Sequence, residues 1–67
     1  MGLPASNRVK ITYNDHYDEW DIDSGAPKFI HTVAQSRSAA IKKAKRVAPD
    51  DYEVLIKGPR MNRYKKV

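Results

Sequence analysis

The feature that most constrains this chain is an amphipathic stretch at residues 36–48. Its apolar residues recur at the spacing of one helix face, and basic residues occupy the rest of the circumference. The apolar positions are Ala40, Ile41, Ala44, Val47 and Ala48. Ser36 or Ser38 can cap the first turn, and Pro49 ends the helix because proline cannot continue it. The sequence therefore predicts one helix with a face that another layer must cover.

Four short segments have the composition of β-strands. Residues 9–13 and 20–23 alternate apolar and polar side chains, as half-buried strands do. Residues 29–33 are rich in strand-forming residues. Phe29 and Val33 would share one face and Ile30 the other, so the sequence does not decide which face is buried. Residues 52–57 give the strongest strand pattern, and Gly58 and Pro59 end it. The predicted order is strand, strand, strand, helix, strand.

A helix with one apolar stripe and a sheet with one apolar face cover each other in two layers. We therefore predict an α+β fold, a small antiparallel sheet of three to four strands with the helix packed on one face. Residues 1–7 are predicted to be a flexible leader, residues 8–60 a single domain, and residues 61–67 a basic tail or short edge strand. The predicted core consists of Val9, Ile11, Trp20, Ile22, Phe29, Val33, Ala40, Ile41, Ala44, Val47, Val54 and Ile56.

The composition limits the chemistry that 67 residues can offer. There is no cysteine, which removes disulfides, thiolate zinc sites and cysteine nucleophiles. His16 and His31 are not spaced as a metal-binding pair, and the acidic stretch around Asp21 fails as a calcium loop because Ser24 stands where glycine is needed. We therefore predict no enzyme activity, no metal, no cofactor and no small-molecule substrate. The longest apolar runs are far shorter than the ~20 residues of a membrane span, so no membrane association is expected.

The basic residues are the strongest functional signal. The formal net charge is +5, and residues 29–67 carry ten basic side chains against three acidic ones. Such a surplus indicates phosphate or an acidic protein surface as partner, although a charged helix face also serves solubility. An aromatic ring among cations can stack on a base. The candidate binding residues are Lys42, Lys43, Lys45, Arg46, Lys57, Arg60, Arg63, Tyr64, Lys65 and Lys66.

The segment 33–60 is similar to the second half of the small host RNA polymerase inhibitors of short-tailed coliphages. The shared features are the helix start at Ser36, Ala40-Ile41 and Ala44 in the helix, Val47-Ala48-Pro49, and Tyr52-Glu53-Val54. The pattern also resembles a short ββαβ family of unknown function. The resemblance implies a small phage-type or mobile-element-type protein that acts by binding in the cytoplasm of a bacterial or archaeal cell. The phage family has an acidic helix where this one is basic.

Three hypotheses follow. The first is a nucleic-acid-binding module acting in transcription or another nucleic-acid process, through the helix and the basic C-terminal segment. A variant that uses the sheet through Lys10, Thr12 and Asp21 is less favoured, since the aspartates repel phosphate. The second is a protein-binding inhibitor of a host enzyme such as RNA polymerase, docked on an acidic surface. The third is an accessory domain in an oligomer, although we expect a monomer or weak dimer.

Overall fold

The computed structural model describes residues 7–25 and 28–67. The elements in this part of the chain are β1 (Arg8–Asn14), β2 (Glu19–Ser24), β3 (Ile30–Ala34), α1 (Arg37–Val47), β4 (Glu53–Lys57) and β5 (Lys65–Lys66). The predicted leader at residues 1–7 lies outside the described residues except for Asn7. Positions 26 and 27 of the predicted turn before the third strand lie outside them as well.

The strands form one sheet in the order β3-β2-β1-β4-β5. The predicted α+β class is confirmed, with the helix on one face of a small sheet. The sheet differs from the predicted antiparallel sheet of three to four strands, because β1 and β4 pair in parallel and β5, within the segment predicted as a tail or short edge strand, adds a fifth strand. After β3, the chain crosses through α1 and passes both β2 and β1 before β4 begins. Such a crossover returns the chain in the same direction, so β4 runs parallel to β1.

The core lies between α1 and one face of the sheet. Ile11 of β1 stands between Ile22 of β2 and Ile56 of β4, and all three side chains are fully buried. Ala40 and Ala44 of α1 are also fully buried, and their small side chains let the helix approach the sheet closely. The buried set is Val9, Ile11, Trp20, Ile22, Ala34, Ala40, Ala44, Val54 and Ile56.

The prediction that Phe29 and Val33 belong to the core is wrong. Phe29 precedes β3 and is 79% exposed, and Val33 lies outside the buried set. The register pairs Trp20 with Ala34, which turns Ala34 and Ile30 toward the helix and Val33 away from it. Of the other predicted core residues, Ile41 packs partly buried against the core. Val47 is half-buried.

The helix ends where the sequence predicts. Ser36 rather than Ser38 is the N-cap, and its Oγ accepts the backbone N–H of Ala39 at 3.2 Å. At the other end, the N–H of Ala48 donates to the carbonyl of Ala44 at 2.9 Å, and Pro49 follows. The capped segment therefore spans the predicted 36–48.

Candidate nucleic-acid interface

Helix α1 carries charge of one sign. Its eleven residues include five basic side chains and no acidic one. Lys42, Lys45 and Arg46 are exposed, and Lys43 is half-buried. Among the described residues, the ion pairs are Arg8–Glu53 and His31–Asp23, so none involves the helix.

This arrangement has an energetic cost. Lys42 and Arg46 are four residues apart on one helix face, and Lys43 and Arg46 are three apart. Like-charge pairs at these spacings destabilise a helix by roughly 0.2–0.5 kcal/mol each. Lys45 and Arg46 recover part of this cost, because cations in the last turn interact favourably with the helix dipole. An anion placed along the row would remove the remaining repulsion.

Lys43 links the helix to the edge of the sheet. Its Nζ donates to the backbone carbonyl of Val33 at 2.9 Å. Strand β3 is an edge strand, so among the described residues only β2 pairs with it. A lysine at such a position blocks addition of another strand. It also fixes an ammonium group at the junction of α1 and β3.

A shallow groove of about 420 Å³ runs between α1 and β3. Cationic side chains stand on its helix side, and the small side chains of Ala34 and Ala39 form its apolar floor. Val33 meets the helix through its backbone carbonyl, because its side chain is turned away from α1. Its lining residues are Val33, Ala34, Gln35, Ala39, Lys42, Lys43 and Arg46. The groove therefore combines cationic side chains with an apolar surface. A ligand that carries both negative charge and a flat apolar ring would match it.

Tyr64 and Lys57 lie on the opposite, open face of the sheet. The Nζ atoms of Lys10 and Lys57 are 5.1 and 5.8 Å from the ring centroid of Tyr64. The Tyr64 hydroxyl is 2.7 Å from Oγ1 of Thr12, which alternates with the buried Ile11 along β1. The structure thus separates these two candidate residues from the helix cations, and it packs the ring of Tyr64 against the sheet.

The remaining predicted cations are exposed near the C-terminal end. Arg60 and Arg63 lie in the connection between β4 and β5, and Lys65 and Lys66 form β5. That connection is held where Met61 accepts the N–H of Gly58 at its Sδ, 3.1 Å away. Lys66 lines a depression of about 270 Å³ together with Lys45 at the end of α1, so β5 brings one of these cations beside the helix. Among the described residues, no ion pair joins the four cations to α1.

The open face of the sheet also carries acidic side chains. Asp21 and Asp23 of β2 pair with Thr12 and Lys10 of β1 and face the same side. The Asp23 carboxylate is 2.5 Å from Nδ1 of His31. This hydrogen bond, and the carboxylate charge with it, raises the pKa of His31 above its ordinary value. The open face therefore mixes both signs, whereas the outer face of α1 is uniformly cationic.

Sequence reasoning missed Phe29 as an accessible aromatic residue and Val33 as part of the groove. Phe29 is 79% exposed and Tyr17 is 69% exposed, more than any other large apolar side chain described. The apolar residues of 29–33 occupy both alternating sets. Only the pairing of β3 with β2 decides which set is buried, so no local signal identifies the exposed one.

No protein-family model matches this sequence, and no curated protein or solved structure matches it either. The resemblance to the phage polymerase inhibitors stays a prediction. In the described part of the chain, no three potential metal ligands are grouped together. Within the same residues, no helix has the length and apolar character that crossing a membrane requires.

Proposed function

We propose that this chain is a nucleic-acid-binding module that contacts phosphates through the outer face of α1. The observation that carries the proposal is the helix itself, with five basic side chains, no acidic one and no ion-pair partner among the described residues. Phosphate contacts are made by lysine and arginine in rows, and release of counterions drives the binding. Lys42 and Arg46 form the centre of that row, with Lys43 and Lys45 on its two sides.

Solubility alone explains this surface less well. A soluble surface normally intersperses both signs, because opposite charges four residues apart support the helix and like charges oppose it. This protein follows that pattern on its open sheet face, where Lys10 pairs across strands with Asp23 and Arg8 with Glu53. The single sign on α1 therefore indicates an anionic partner.

The C-terminal cations contribute in this proposal at longer range. Arg60, Arg63, Lys65 and Lys66 are exposed and add to the positive potential, and Lys66 lies nearest to the helix, beside Lys45. Such charges steer a polyanion toward the protein and weaken with added salt. Binding in the cytoplasm suits a chain that has no cysteine.

The test is the affinity for a fluorescent oligonucleotide as a function of salt concentration, measured by anisotropy. Several phosphate contacts predict a steep linear fall of log affinity with log salt, with a slope near −0.7 to −0.9 per phosphate contact. Lys42→Gln should weaken binding and make the slope shallower by about one such contact. Lys10→Gln is the matched control, since it removes the same charge from an exposed residue on the open face of the sheet, opposite α1. No binding at low salt, or equal losses in both variants, would refute the proposal.

A second candidate function is a protein-binding inhibitor of a host enzyme such as RNA polymerase. It is favoured by the open sheet face, where Asp21 and Asp23 lie beside Lys10 and would repel phosphate but complement a protein surface of mixed charge. A pull-down from nuclease-treated lysate tests it. Retention of polymerase that survives Lys42→Gln and is lost in Asp21→Lys would favour this function over the first.

A further inference from the structure

We propose that the bound nucleic acid is single-stranded and lies in the groove between α1 and β3. This inference rests on the proposed function and adds the class of polynucleotide and its path. Lys42 and Arg46 line the groove one helical turn apart, and Lys43 lies at its junction with β3. These three cations place the phosphates of one strand along the helix side.

The apolar floor gives a reason to expect bases as well as phosphates. Ala34 and Ala39 line the groove beside the cations, and Gln35 adds an amide that can donate and accept hydrogen bonds. An apolar surface contributes nothing to the binding of a phosphate group by itself. An unpaired nucleotide offers a flat ring to the floor while its phosphate reaches the cations.

Phe29 supplies the aromatic ring that single-strand binders use for stacking. It is 79% exposed and lies four residues before Val33, so its Cα is at most about 14 Å from that of Val33 along an extended chain. A short oligonucleotide that occupies the groove can therefore reach it. A phenylalanine side chain exposed to this degree contributes little to the fold, and a base stacked on it would cover it.

Other occupants match these features less well. A duplex keeps its bases stacked inside and presents mainly phosphates, which leaves the apolar floor and Phe29 uncovered. A second copy of this chain, paired edge to edge through β3, would bring two rows of helix cations together. An acidic peptide supplies the negative charges but lacks the flat rings that match Phe29.

The experiment compares four probes of equal length by anisotropy at one salt concentration: an oligothymidylate, its abasic phosphodiester analogue, a mixed-sequence duplex and an oligoglutamate. The oligothymidylate should bind about tenfold tighter than the abasic analogue, since base stacking accounts for that order of affinity. Phe29→Ala should lose about the same factor for oligothymidylate and nothing for the duplex. Phe29→Tyr should retain binding, and Tyr17→Ala is the matched control for loss of an exposed aromatic side chain.

The outcomes separate this inference from the function on which it rests. Equal affinity for the abasic analogue, tighter binding of the duplex, or oligothymidylate binding unchanged in Phe29→Ala would overturn the single-strand groove and leave phosphate binding intact. Oligoglutamate binding as tight as oligothymidylate would overturn base recognition in favour of charge alone. If no polynucleotide binds even at low salt, the proposed function itself fails.

Discussion

The hydroxyl of Tyr64 lies 2.7 Å from Oγ1 of Thr12, across 52 positions of the sequence. The ammonium groups of Lys10 and Lys57 lie over the same ring, at 5.1 and 5.8 Å from its centroid. β5 is only two residues long, and this contact attaches the C-terminal segment to β1 in addition to the pairing of β5 with β4. It makes Tyr64 part of the packing of the open face.

Two substitutions of Tyr64 should lower the free energy of unfolding by different amounts. Tyr64→Phe loses a neutral hydrogen bond and should cost about 1 kcal/mol in the free energy of unfolding. Tyr64→Ala also loses the ring and its two cation–π contacts and should cost about 2 kcal/mol. Urea unfolding measures both. Tyr17→Ala, at a 69% exposed ring, serves as the control and should change stability little.

Amide hydrogen exchange can show whether this loss of stability is confined to the C-terminal segment. The amide of Val67 donates to the carbonyl of Val54 at 3.0 Å and should exchange faster in Tyr64→Ala. The amides hydrogen-bonded between β1 and β2 should still exchange only through global unfolding of the protein. Unchanged exchange at Val67, together with unchanged unfolding, would show that Tyr64 does not hold the segment.

The N-cap of α1 gives a prediction with a close internal control. Ser36 accepts the N–H of Ala39, whereas Ser38 has no such role. Ser36→Ala should lower the free energy of unfolding by about 1 kcal/mol, and Ser36→Gly by only a few tenths. Ser38→Ala should leave stability unchanged or raise it slightly, because alanine is the better helix former. Equal losses at both serines in thermal unfolding would argue against this cap.

The corrected position of the third strand can be tested by comparing two apolar truncations. Ile11 is fully buried between β2 and β4, so Ile11→Ala should cost about 2–5 kcal/mol and could unfold so small a domain. Ile11→Val, at about 0.5–1.5 kcal/mol, keeps the comparison measurable. Phe29→Ala should change stability by less than about 0.5 kcal/mol, since its ring is exposed. A loss of several kcal/mol at Phe29 would place that ring in the core after all.

The elements whose signals are local were predictable from the sequence. Ser36, the alanine stripe and Pro49 set the helix, and strict alternation identified Val9 and Ile22 as buried. The parallel pairing of β1 with β4 depends on a crossover of the whole chain, which no local pattern reports. The contact between Thr12 and Tyr64 likewise joins distant segments. The helix cations were identifiable as candidates, but the groove beside them required the position of β3.

The pair formed by His31 and Asp23 predicts a pH dependence. The hydrogen bond to Asp23, and the charges of Asp23 and Asp21, raise the pKa of His31 above its ordinary 6.5. Because the folded pKa exceeds the unfolded one, the pair stabilises the fold fully below the unfolded pKa and loses this effect as pH rises through the raised value. An NMR titration of the His31 ring should show the raised pKa.

Two variants define the cause of that shift. Asp23→Asn removes the charged acceptor and should return the pKa of His31 toward its ordinary value. Asp15→Asn, in the connection between β1 and β2, should leave it unchanged. A raised pKa that persists in Asp23→Asn would mean that another group is responsible.

Binding of a single strand along α1 is tested most directly by an NMR map of amide shifts on adding oligothymidylate to the labelled protein. We expect the largest changes on α1 around Lys42 and Arg46, on β3 around Val33, and on Phe29. Amides around Thr12 and Lys57 on the open face should change least. Largest changes on the open face, or no changes at low salt, would contradict an interface built on α1.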